Sequence, residues 1–305
     1  MIAPPPHVLA PPSRLSGTQI GRTSLSQRAM IVDLHLSAWG AKRLDRATTR
    51  KVISDQGAAQ DAGTWHKRLV PEGALAEVTK AQSRARDRHR SLTLPWGEHD
   101  RILSASAWFV YSNAMAEERA NCEHTYRDFV AIYPDYCRSA PTRMGGTYCA
   151  SDFPSPNVIA TRFSFHLEVM PVPSHDDFRV NLADEIEADI RREIEATVGR
   201  RQNEAQRDLW TRLLKTLSHF ATTMATEGKT FQKTTVSNLA EIAALAPRLS
   251  LTPDPALDAV CAQILAITDA CDPESLRASA KVRGRAAEDA AAALRRVEES
   301  MMGAF

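Results

Sequence analysis

Apolar residues recur at nearly every fourth position over one long stretch: Leu182, Ile186, Ile190, Ile194, Val198, then Ala205, Leu209, Leu213, Leu217 and Phe220. That spacing predicts a single long amphipathic helix over about 181–222, with a stripe that winds slowly around it. Asn181 is placed to cap it, and the acidic first turn of Asp184, Glu185 and Glu187 suits the positive end of the helix dipole. The stripe weakens across 199–204. One glycine costs a helix only about 1 kcal/mol, which favours a continuous helix with a polar turn over a hinge.

Two stretches alternate with period two instead. Val32, Leu34, Leu36 and Ala38 interleave with Asp33, His35, Ser37 and Trp39, and Phe163, Phe165, Leu167 and Val169 interleave with Ser164, His166 and Glu168. Both predict half-buried strands, the second closed by Pro171 and Pro173. Two strands alone are unstable, so the short apolar run 102–106 is taken as a third. Helical patterns cover 43–56, 58–69, 74–92, 107–133, 235–245, 255–270 and 274–301. Leu94-Pro95-Trp96-Gly97 reads as a turn, and the prolines and glycines of 133–157 as an irregular region with short helical turns.

The expected architecture is therefore α+β and mostly helical. A small antiparallel sheet covered by helices occupies 30–173, and a helical bundle or long helical hairpin follows over 174–305. Five of the 17 prolines fall in the first twelve positions, so 1–29 reads as a disordered leader, with Met30 as the expected start of translation.

Charge changes this picture locally. The net charge is +1, which excludes a generic polyanion binder, yet residues 1–100 hold 15 Lys or Arg against 9 Asp or Glu. A nucleic-acid surface is thus sought in the first third. Lys42, Arg43, Arg46, Arg50 and Lys51 on one predicted helix, and Lys80, Arg84, Arg86, Arg88 and Arg90 on another, supply cations. Lys42, Arg43, Arg84, Arg86 and Arg90 are the strongest candidates, and Trp39, Trp65 and Trp96 would offer faces on which single-stranded bases stack. The competing reading is a solvated helix face with tryptophans in the core.

The five cysteines are odd in number and without a close-spaced framework, which fits reduced thiols in a cytosol and a cytoplasmic protein. No apolar run reaches the roughly 20 residues of a membrane helix. Cys122, His124, Cys137 and Cys149 are the one regional group of soft ligands, but they lack the paired spacing of zinc sites. His175-Asp176-Asp177 would suit a hard cation, and equally a polar loop. No nucleophile elbow, P-loop or dinucleotide fingerprint occurs. Neither enzymatic activity, a metal nor a cofactor is therefore expected.

Four segments carry a resemblance: Ser37 to Asp45 (SAWGAKRLD), Leu94-Pro95-Trp96, Asp152-Phe153-Pro154-Ser155-Pro156, and Pro171-Val172-Pro173 through Asp177-Phe178-Arg179. Together, over about 30–225, they resemble a family of bacteriophage and prophage proteins of unassigned activity. The resemblance implies a mobile-element setting near AAA+ ATPases and von Willebrand-type adaptor proteins, and it transfers no catalytic residue. The expectation is a non-enzymatic accessory protein that engages a protein partner, an AAA+ ATPase first among them, through its helices. The alternative is a single-stranded DNA-binding or annealing protein. The sequence leaves self-association open, including exchange of the last two helices onto another copy.

Overall fold

The computed structural model describes residues 24–174, 184–226, 233–272, 275–276 and 279–304. Asn181, Leu182 and the His175-Asp176-Asp177 run lie outside the described residues. A helical turn, α1 (Leu25–Arg28), leads into β1 (Ala29–Ser37), and Leu25 is already buried in the core. Residues 25–29, assigned above to the leader, are thus part of the fold.

The central sheet is antiparallel, in the order β4 (Leu94–Trp96), β5 (Asp100–Ser104), β1, β6 (Ser164–Pro171). Val32 faces both Val169 and Arg101, and Leu36 faces Phe165, so the alternation read from sequence sets the register. The expected turn at 94–97 is instead a short edge strand, and the chain reverses just after it. Gly97 has φ +78, a backbone conformation that favours glycine. Pro95 is tolerated because β4 lies at the sheet edge.

Two further expectations are corrected. The pattern over 43–56 and 58–69 predicted two helices, of which only the first forms. The structure has a separate two-stranded ladder of β2 (Lys42–Leu44) and β3 (His66–Arg68), which flank α2 (Arg46–Asp55). Segment 58–69 has too few apolar residues to make a buried helical stripe, and its backbone finds partners in β2 instead. The region 133–157 was expected to be irregular, yet α4 (Trp108–Met144) runs through Pro134 and Pro141 and stops at Gly145. Its buried face runs up to and past the first proline: Phe129 and Tyr133 before Pro134 and Ala140 after it are all buried, and Tyr133 donates its hydroxyl to Pro154 O at 3.0 Å. That burial outweighs the lost backbone bond at each proline.

Helix α3 (Ala76–Ser91) lies along α4, and both cover one face of the sheet, with Gln82 Nε2 donating to Ser37 O at 2.8 Å and to Tyr126 Oη at 2.8 Å. After the short α5 (Pro156–Ala160) and β6, the long helix α6 spans Asp184–Ala225 without interruption at Gly199. It is joined by α7 (Lys233–Leu249), α8 (Pro255–Asp269) and α9 (Ala280–Ala304). Helices α7 and α9 pack on α6 within the same chain, and α6 also rests on β4. The cluster that contains Trp96, Ile102 and Tyr111 is continuous with Leu209, Trp210 and Leu213 of α6 and with Leu239, Ile264 and Ala290 of α7 to α9. Arg212 of α6 reaches back to the end of α3, where its Nη1 donates to Arg90 O at 3.0 Å. A cation at a helix C-terminus meets both the orphan carbonyls and the dipole.

Candidate functional site

Two surfaces stand apart from this core. The first is the outgrowth over 42–68. Asp45 starts α2, with its Oδ1 accepting from Ala47 N at 3.1 Å and Thr48 N at 3.0 Å, and the Thr48 bond chiefly holds its carboxyl below the usual range. Lys67 on β3 reaches under it. Its Nζ lies 2.5 Å from Asp152 Oδ2 and 3.7 Å from Asp45 Oδ2, and it donates to Thr147 O at 3.1 Å. The hydrogen bond to Asp152 raises the Lys67 pKa against the effect of burial. Arg43 Nε adds a second cation on Asp152 at 3.3 Å. This ion cluster ties the outgrowth to the loop before α5.

The outer side of the outgrowth is different. Helix α2 buries no residue, and Leu44, Val52 and Trp65 are all exposed. Trp65 borders a cavity of about 230 Å³ with Thr49, Val52, Ile53 and Gln56. Its backbone is fixed at both ends: its N–H donates to Thr49 Oγ1 at 2.9 Å, and its carbonyl accepts from Asp45 N at 2.9 Å.

The second surface is the first half of α6. Every residue of α6 in the core lies at or beyond Ala205. Ile186 is 53% exposed, and Ile190 and Ile194 are half-buried without packing on the hydrophobic core, which only Val198 reaches. The stripe is one pattern in sequence but two environments in the fold.

The five cations singled out from sequence are dispersed. Arg84 Nε is held by both Glu118 oxygens at 3.1 and 2.8 Å, Arg43 by Asp152, and Arg90 lies 3.9 Å from Asp87. Lys42 and Arg86 are exposed and form no ion pair among the described residues. Of the three tryptophans, Trp96 is in the core beneath Arg201, whose guanidinium carbon is 6.0 Å from the ring centroid. Trp39 packs on Phe129 and Tyr133. Only Trp65 presents a free face.

The soft ligands do not converge. Cys122 is buried, and burial raises its thiol pKa. His124 is exposed beside Asp128, Cys137 is half-buried, and Cys149 is exposed beside Ser151. Among the described residues no three His, Cys, Asp or Glu side chains are placed to hold a metal ion. None of the described helices is long and apolar enough to cross a membrane.

Sequence reasoning missed Phe109, which is 74% exposed at the start of α4. It stands beside Val110, which lines a groove of about 550 Å³ with Leu92, Ile242, Leu245, Arg88 and Arg248. The spacing of Tyr111 and Met115 marks the buried face, and Phe109, two residues before Tyr111, lies about 200° around the helix from it. Comparison with protein-family models, with curated proteins and with solved structures gave no match in any of the three.

Proposed function

We propose that this protein is a non-enzymatic accessory protein that engages a protein partner through helical contacts, with the first half of α6 as the contact surface. One observation carries the reading. A helix of 42 residues uses its second half for the core of its own chain, while Ile186, Ile190 and Ile194 continue the same stripe outside that core. Ile186 is exposed and Ile190 and Ile194 keep part of their surface in solvent, and apolar surface at helical spacing is what a groove or a partner helix binds. Glu187 and Asp189 are held by Arg191 and Arg192, while Asp184 and Glu185 form no ion pair among the described residues, so a partner surface with a basic edge beside Ile186 fits best.

The resemblance to phage and prophage proteins makes an AAA+ ATPase the first partner to try, in a bacterial cytoplasm. The test is affinity capture at physiological salt with the wild-type chain and with Ile186→Glu. The reading expects one protein retained by the wild type and released by the variant. Retention of the same proteins by both chains would refute it.

A further inference from the structure

We infer that the outgrowth over 42–68 binds single-stranded nucleic acid, with Trp65 as a stacking platform and Lys42, Arg46, Arg50 and Lys51 as phosphate contacts. The inference does not depend on the α6 reading, because it uses a different surface.

The outgrowth holds seven Lys or Arg and three Asp. Arg43 and Lys67 are engaged by Asp152, and Arg68 by Glu72. Asp45 is engaged as the cap of α2 and beside Lys67. Lys42, Arg46, Arg50 and Lys51 are exposed and have no anionic partner among the described residues; of the acids, Asp55 and Asp61 share that state. Arg46 and Arg50 are one turn apart on α2, hence neighbours on its surface. Four unpaired cations against two unpaired acids leave this surface with a positive balance that attracts a polyanion.

The apolar chemistry selects among polyanions. Trp65 is 48% exposed, and its backbone is held on both sides by Thr49 and Asp45, so its indole is presented from a fixed frame. A base stacks on such a ring only when its own face is free, which duplex bases are not. The adjoining cavity of about 230 Å³ is lined by Thr49 and Gln56 as well as Val52 and Ile53, which gives polar groups for base edges beside an apolar floor. An acidic amphipathic helix would need an elongated apolar groove of several turns, and this cavity is short. Phosphate and base face are common to DNA and RNA, and both are expected to bind this surface.

The test is fluorescence anisotropy with the full chain and labelled twenty-residue oligothymidylate and oligouridylate, with a duplex of equal length and oligoglutamate as competitors. Both strands are expected to bind, with affinity falling as salt rises. Trp65→Ala should weaken binding roughly 5- to 150-fold, the range for loss of one stacked base, while Trp65→Phe retains most of it. Replacing Arg46, Arg50 and Lys51 together by Ala should lower the slope of log affinity against log salt by about 2. Trp65 and the three cations are exposed, so thermal unfolding of each variant should match the wild type. Absence of binding at low salt would overturn the inference. So would affinity unchanged by both sets of substitutions, or oligoglutamate or duplex competing as well as the single strand.

Discussion

Trp210 and Asp254, far apart in sequence, meet at the start of α8: the indole Nε1 donates to Asp254 Oδ2 at 3.2 Å, while Oδ1 of the same carboxylate accepts from Leu257 N at 3.0 Å. Gln206 Nε2 also donates to that Oδ2, at 3.2 Å. One side chain thus starts a helix and satisfies two donors from α6. Asp254→Ala is expected to destabilise the protein by about 2–4 kcal/mol, the loss of a cap plus unsatisfied buried donors. Asp254→Asn can still cap but turns a donor NH2 toward Trp210 and Gln206, so it should recover only the cap, about 1 kcal/mol. Urea unfolding followed by circular dichroism checks both.

Acid should weaken the fold through His89. The ring is buried, its Nδ1 lies 2.8 Å from Tyr111 Oη, and burial, then the nearby Arg101, lowers its pKa to about 4. The unfolded chain therefore binds a proton between about pH 6.5 and 4 that the folded chain refuses, so stability falls as pH drops through that window. A shift of this size corresponds to about 3 kcal/mol at its acid end. His89→Gln should flatten the dependence between pH 7 and 4.5, measured by urea unfolding at the two values. An unchanged pH profile in the variant would contradict the assignment.

The latch between α6 and α3 rests on Arg212. Its Nε lies 2.6 Å from Asp208, and its Nη1 caps the Arg90 carbonyl. Arg212→Ala should cost about 1–2 kcal/mol, since the pair is partly exposed. Arg212→Lys should recover little, because a single ammonium does not reproduce the guanidinium fork that spans both acceptors. Thermal melts of the three proteins would show Lys close to Ala; a fully recovered Lys variant would count against the latch.

Asp152 holds the outgrowth down. Asp152→Asn weakens its grip on Lys67 and Arg43 together, and leaves the largely buried Lys67 charge without its main partner. Amide exchange over 42–68 is expected to accelerate roughly tenfold or more, with exchange in the second half of α6 unchanged. Uniform acceleration along the whole chain would mean that the cluster stabilises the fold globally instead.

Much of this architecture is written in local periodicity. The alternation around Val32 and Phe165 and the four-residue repeat from Leu209 to Phe220 each report a face that the fold buries. Elements whose stability comes from elsewhere left no such trace. β2 and β3 are three residues long and mostly charged, so the pairing of Lys42 with Arg68 has no signature in either strand alone. Past Pro134 the burial of Ala140 keeps α4 helical against a local signal to stop. The candidate sites were legible as residue types but not as pairings. Nothing near Arg43 or Arg84 in sequence announces Asp152 or Glu118, and nothing in the sequence separates the exposed ring of Trp65 from the covered ring of Trp96. The stripe of α6 has the same repeat on both sides of Gly199, and only the packing of α7, α9 and β4 decides which half remains outside the core.

The central claim, that the first half of α6 meets a protein partner, is most directly tested by photo-crosslinking in the native host. A photoreactive residue is placed at Ile186 on the stripe, or at Ala188, which a turn of about 200° sets on the opposite side of the helix. The account predicts a discrete protein adduct from position 186 and none from 188. Equal adducts from both positions, or none from 186, would contradict it.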